Sequence, residues 1–168
     1  MKKIPVGIKL SKTPYTADHL KIVLKENDKI TEMRGQIISG ALFIEQDLNE
    51  VVLKYFFKDG DKKNIFEEFV LEREFFTLMQ KWRLLRELLE RNLITTPGDK
   101  KEVLRLIHDV IEIRDRFAHG TISFEHTTPV IEYLKNGKKK KDALNRKYFN
   151  EISIIFNQAS DLLEQIQT

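Results

Sequence analysis

The sequence predicts a mostly α fold: a four- to five-helix bundle with a small β-hairpin before the last helix and an extended or β arm at the N-terminus. Three observations carry this expectation. Apolar residues recur at three- and four-residue steps through most of the chain, the spacing that lines one face of an α-helix. Between these stretches stand residues that end helices, in Lys58-Asp59-Gly60-Asp61, in Thr95-Thr96-Pro97-Gly98 and at Gly120. Beyond Gly120 the pattern shortens to brief strand-like runs, with Asn136-Gly137 as the dipeptide of a tight hairpin turn.

Taken in order, residues 1–28 hold Pro5, Pro14 and the alternating Ile4, Val6, Ile8 and Leu10, then Leu20, Ile22 and Leu24. This reads as an N-terminal arm with strand character, leaving 29–168 as the helical domain. From residue 28 to 56, Ile30, Met33, Ile37, Ile38, Ala41, Ile44, Leu48, Val51 and Val52 predict one long amphipathic helix. A second helical block over 64–91, broken near 71–74, carries Phe66, Phe69, Phe75, Phe76, Trp82, Leu85 and Leu88 as core material. Asp99 followed by Glu102 reads as an N-cap with its capping-box partner, and Val103, Leu106, Ile107, Val110, Ile113 and Phe117 continue that helix to a C-cap at Gly120. Short strands are expected over 121–126, 129–135 and 138–144, and a last helix runs from Tyr148 through Ile166.

A chain of 168 residues and 19.9 kDa is the size of one domain. Zero cysteines exclude disulfides, thiolate metal sites and cysteine nucleophiles. No run reaches the about 18 apolar residues of a membrane span, and nothing resembles a signal peptide, so a soluble cytoplasmic protein without a membrane partner is the expectation. With 29 basic and 26 acidic residues the net charge is +3, which permits an anionic partner without arguing for one. Phosphate-binding loops, dinucleotide fingerprints and nucleophile elbows are missing from the sequence. The histidines, His19, His108, His119 and His126, show no HxxxH or HExxH spacing, so no metal and no cofactor is implied.

The informative residues are charges at positions that periodicity assigns to the core. At about 100° per residue, Arg114 falls in the stripe of Val103, Ile107, Val110 and Phe117. Such an arginine requires a carboxylate inside the bundle, a phosphate, a partner chain or a wet cleft. Arg34 and Glu45 fall likewise inside the stripe of the long helix, and Glu45 is a candidate counter-ion for a buried arginine, Arg114 or Arg83. His119, the last helical residue before Gly120, reads either as a cation at the negative end of the helix dipole or as a proton-transfer group. Lys138, Lys139, Lys140 and Lys141 read as a solvated turn or as weak contacts to a phosphate backbone.

Arg114-Asp115-Arg116-Phe117-Ala118-His119 resembles the R-x4-H signature of the HEPN superfamily of α-helical ribonucleases and RNA-binding proteins, and the resemblance spans about residues 30–168. It implies metal-independent cleavage of RNA at a site shared across a homodimer, with Arg114 on the scissile phosphate and His119 moving protons. Asp115 would orient the imidazole or raise its pKa, with Glu45 and Arg34 in support. It further implies a toxin or phage-defence setting and an antitoxin protein as partner. Some relatives lack catalysis, so the alternative is a dimeric RNA-binding, interaction or regulatory module of the mannitol-repressor type, in which Arg114 pairs with Glu45 or Asp115. No helix-turn-helix supports a DNA-binding regulator.

Overall fold

In the computed structural model, which describes residues 9–10, 16–58 and 60–166, the first helix is longer than its periodicity suggested. Helix α1 runs Ala17–Phe56, 40 residues. Its start is fixed by Thr16, whose hydroxyl accepts from the His19 backbone N–H at 3.2 Å. The expected arm over residues 1–28 is therefore helical from Ala17 onward. Leu20, Ile22 and Leu24 imitate strand alternation, yet Val23 is the buried residue among them and it stands seven residues before Ile30 and fourteen before Ile37. That helical stripe overrides the local alternation. Of the rest of the arm, Lys9–Leu10 form strand β1, and residues 1–8 and 11–15 lie outside the described residues.

Helix α2, Asp61–Phe66, passes into a π-helical turn, Glu67–Leu71, and the chain then breaks before helix α3, Leu78–Glu90. Thr77 closes the break with a full capping box: its hydroxyl receives the Gln80 N–H and the Gln80 side chain receives the Thr77 N–H. Helix α4 spans Lys100–His119. Asp99 caps it by accepting from the Lys101 N–H at 2.9 Å, but Glu102 does not complete the expected box, because its carboxylate binds Arg105 at 2.6 Å. A guanidinium one turn on outcompetes a single backbone N–H.

After α4 come β2 (Thr121–Glu125), β3 (Thr128–Lys135) and β4 (Lys138–Ala143), then helix α5, Arg146–Glu164. The sheet order is β1-β2-β3-β4, with β1 parallel to β2 and the other pairs antiparallel, so the expected hairpin is a three-stranded meander with one added strand. Asn136 and Gly137 have φ of 53° and 71°, the two positive values a type I′ turn demands.

The chain divides into two units, one of Met1–Ser39 with Ile113–Ile152 and one of Gly40–Glu112 with Ser153–Thr168. The second is a helical bundle, packed on Ala41, Ile44 and Leu48 from α1, Leu85 and Leu89 from α3, Leu106, Ile107 and Val110 from α4, and Ala159 and Leu163 from α5. A smaller cluster joins Val52, Leu53 and Leu71 to Phe57, Phe66 and Phe76. The first unit holds the sheet, with Phe117, Phe124, Val130, Ile131, Phe149 and Ile152 buried in it.

Gly120 joins α4 to β2 in ordinary backbone geometry, so its role is spatial. A Cβ there would collide with the Arg116 carbonyl oxygen and stand 2.9 Å from Ile131 Cγ1. Gly120→Ala is expected to cost about 1–3 kcal/mol in urea unfolding by overpacking. Gly98→Ala, where nothing lies within 4 Å, should stay within about 0.5 kcal/mol of wild type.

Candidate functional site at the end of helix α4

The last two turns of α4 carry Arg114, Asp115, Arg116 and His119. Arg114 lies between the fully buried Val110 and Phe117 along the helix, yet its own side chain is 43% exposed. The apolar cover stops over that position. Its guanidinium binds the neighbouring Asp115 Oδ1 at 2.8 Å, so neither Glu45 nor another core carboxylate serves as its counter-ion. Asp115 was expected to address His119; its Oδ1 is instead held by Arg114. The His119 side chain is exposed at the helix end and, among the described residues, makes no hydrogen bond.

Arg34 is brought to the same place from α1. Its Nη2 donates to the Ala118 carbonyl at 2.9 Å, satisfying one of the four carbonyls that a helix C-terminus leaves unpaired. Arg34 and His119 thus gather at the negative end of the α4 dipole, where cations are favoured.

Glu45 belongs to the other unit and to another partner. Lys81 on α3, 2% exposed, donates to Glu45 Oε1 at 2.5 Å, and the Glu45 side chain is 25% exposed. The periodicity was right that Glu45 serves a buried cation, but the cation is a lysine and Arg83 is exposed. The signal was there: at about 100° per residue Lys81 falls inside the apolar arc of Leu78, Leu85, Leu88 and Leu89, the same misplacement that singled out Arg114, but a lysine is ordinarily read as snorkelling to solvent.

A cluster that sequence reading missed lies beneath the sheet. The Arg116 side chain is 15% exposed; its Nη1 donates to Tyr148 Oη at 2.7 Å and to Asp142 Oδ2 at 3.2 Å, and its guanidinium lies 4.4 Å from the Tyr133 ring centre. Tyr133 Oη donates to the same Asp142 oxygen at 2.9 Å. Burial, aided by the bond to Asp142, pushes the Tyr133 phenol up to about 12. Burial also raises Tyr148, against the opposing pull of Arg116. The signal was present in strand alternation, which puts Asp142 on the same face as Tyr133, but Arg116 sits away from the α4 stripe and nothing in the sequence aims it there.

The lysine run occupies β4. Lys141 is neutralised by Glu125 at 2.5 Å and Glu132 at 3.2 Å. Among the described residues Lys138, Lys139 and Lys140 form no ion pair.

The charge of the two units differs in sign. The described residues of the first unit contain 14 Lys and Arg against 9 Asp and Glu, net +5; those of the second contain 12 against 16, net −4. Arg34, Arg114, His119 and the lysine strand all lie in the basic unit. Among the described residues no three His, Asp or Glu side chains gather as a metal site, and no helix is long and apolar enough to cross a membrane. Comparison with family models, curated proteins and solved structures found no match to this chain.

Two predictions follow from the buried groups. Glu45→Gln, which strands a fully buried ammonium, is expected to destabilise by about 3 kcal/mol or more, and Lys81→Met by less, because the remaining carboxylate keeps access to water; urea unfolding orders the two. For the tyrosines, a folded pKa above the unfolded value of about 10 means the native state retains protons that the unfolded chain has lost. The contribution of Tyr133 to stability is complete below about pH 10 and is lost as pH rises through about 12, and that of Tyr148 is lost in the same direction. Alkaline unfolding over that window should be shallower in Tyr133→Phe.

Proposed function

We propose that this protein is a metal-independent endoribonuclease of the HEPN type, with Arg114 and His119 at its centre. The observation that carries the reading is the last two turns of α4, which present a part-exposed arginine and an exposed histidine in a unit whose described residues carry a net charge of +5. Cleavage of RNA at a 2′-hydroxyl needs a group to take its proton, a donor to stabilise the excess charge on phosphorus, and a proton for the departing 5′-oxygen. An imidazole, which can both accept and donate a proton, serves the first and last tasks. A guanidinium serves the second through paired N–H donors that match phosphate oxygens. The products are a 2′,3′-cyclic phosphate and a 5′-hydroxyl.

Residues five apart on a helix are separated by about 140° around its axis, so Arg114 and His119 of one α4 do not share a face. That separation favours a homodimer in which the histidine of one protomer and the arginine of the other meet one phosphate. Asp115 then acts as a resting counter-ion that a phosphate displaces from Arg114, and Arg34 as the residue that holds the α4 end in place. A toxin or phage-defence role restrained by an antitoxin protein, in the cytoplasm, accompanies this reading.

The Arg114–Asp115 pair favours a second reading, a non-catalytic dimeric RNA-binding or regulatory module, since it leaves Arg114 already neutralised.

Incubation of labelled single-stranded RNA with purified protein in EDTA decides between them. Wild type is expected to yield cyclic-phosphate ends, and Arg114→Ala and His119→Ala to lose about 10²–10⁴-fold in rate while keeping their far-UV circular dichroism and dimeric size. Equal rates for wild type and His119→Ala would remove histidine from the chemistry. A folded dimer that binds RNA and cuts none establishes the second reading.

A further inference from the structure

We infer that the tip of the β3–β4 hairpin is a docking ribbon for single-stranded RNA, with Lys138 and Lys140 on one face and Lys139 on the other each contacting a phosphate. The inference rests on the proposal above for its substrate class, and it assigns the binding surface that the catalytic pair does not supply.

The register defines the ribbon. Lys138 stands opposite Lys135, Lys139 opposite Leu134 and Lys140 opposite Tyr133. Lysines therefore project from both faces of β4, with Leu134, 71% exposed, beside Lys139 as an apolar contact for an unstacked base. Residues two apart on a strand are about 6.7 Å apart, of the order of the spacing between phosphates along an extended nucleic-acid strand. Lys141, the next in the run, differs in kind: two carboxylates already hold it.

Folding does not account for this placement. β4 is the edge strand of the sheet, and lysine on an edge does discourage pairing with other chains. That purpose does not need lysine on both faces, and among the described residues Lys138, Lys139 and Lys140 have no carboxylate partner, so a polyanion is the charge complement this edge lacks. The ribbon is also held firmly, because Asp142, two residues beyond Lys140, is gripped by Arg116 of α4 and by Tyr133. An RNA strand bound to β4 is thereby placed by the same residues that hold the end of α4.

The test measures affinity for a fluorescent 2′-O-methyl oligonucleotide, which lacks the attacking hydroxyl and cannot be cut, by anisotropy over a range of NaCl concentrations. Each phosphate contact to a single strand contributes about 0.7 to the slope of log K against log[salt]. The triple variant Lys138→Gln/Lys139→Gln/Lys140→Gln should lower the magnitude of that slope by about 2. The charge-matched triple Lys58→Gln/Lys62→Gln/Lys101→Gln, in the acidic unit, should leave it unchanged. If both triples shift the slope equally, or the hairpin triple binds as wild type does, the ribbon is not the docking surface, and the ribonuclease proposal stands untouched. Wild-type protein without affinity for the oligonucleotide overturns both. A polyglutamate chain that competes as well as the oligonucleotide overturns nucleic acid as the occupant.

Discussion

Within the sheet-bearing unit, the mutual placement of α4, β4 and α5 depends on how one buried guanidinium is satisfied. Arg116 cannot shed its proton, so its burial under β3 and β4 is tolerable only if the groups around it accept hydrogen bonds or present a π-face. Asp142, Tyr148 and Tyr133 do so from three different elements, and Tyr133 and Arg116 share one oxygen of Asp142. Even so, Arg116 Nε is buried without a partner among the described residues, so the arrangement is demanding rather than saturated. Loss of any one member leaves the guanidinium under-compensated, which ties the position of α4, β4 and α5 to a single set of bonds. Arg34 adds a second tie at the adjacent Ala118 carbonyl, and Gly120 lets the chain turn into β2 without a side chain in the way.

This anchoring fixes the positions of residues that make no contact with one another. Arg114 and His119 stand on the last turns of α4, the hairpin lysines stand on β4, and Arg116 with Asp142 joins those two elements. Arg114 rests on Asp115 and Lys141 on Glu125 and Glu132, whereas the three lysines at the hairpin tip have no such neutralisation. In the helical unit the comparable charge is Lys81, and its pairing with Glu45 inside the bundle makes it a stability element with no role at the end of α4.

Periodicity made the long stripe of α1, the capped start of α4, the breaks at Gly60 and Gly98 and the Asn136-Gly137 turn legible before any coordinates. Each is a local rule in which the residue carries its own instruction: a side chain that caps, a glycine that tolerates positive φ, an apolar face with a 3.6-residue period. Periodicity also singled out Arg34 and Glu45 as charges needing partners, and both have them. It failed over residues 17–28, where alternation of three apolar residues masked a longer helical stripe, and it placed Arg114 in a core whose cover ends before reaching it.

The sequence by itself determined the helical class, the position of the sheet before the last helix, the absence of cysteine and the presence of arginine and histidine at the end of α4. Tertiary structure alone decided who pairs with whom and where charge accumulates. The start of α1 and residues 113–152 are distant in sequence yet belong to one unit, and the described residues of the two units carry net charges of +5 and −4. A count along the chain averages over that division, because electrostatic potential depends on distances in space and the chain brings its basic stretches together only when it folds.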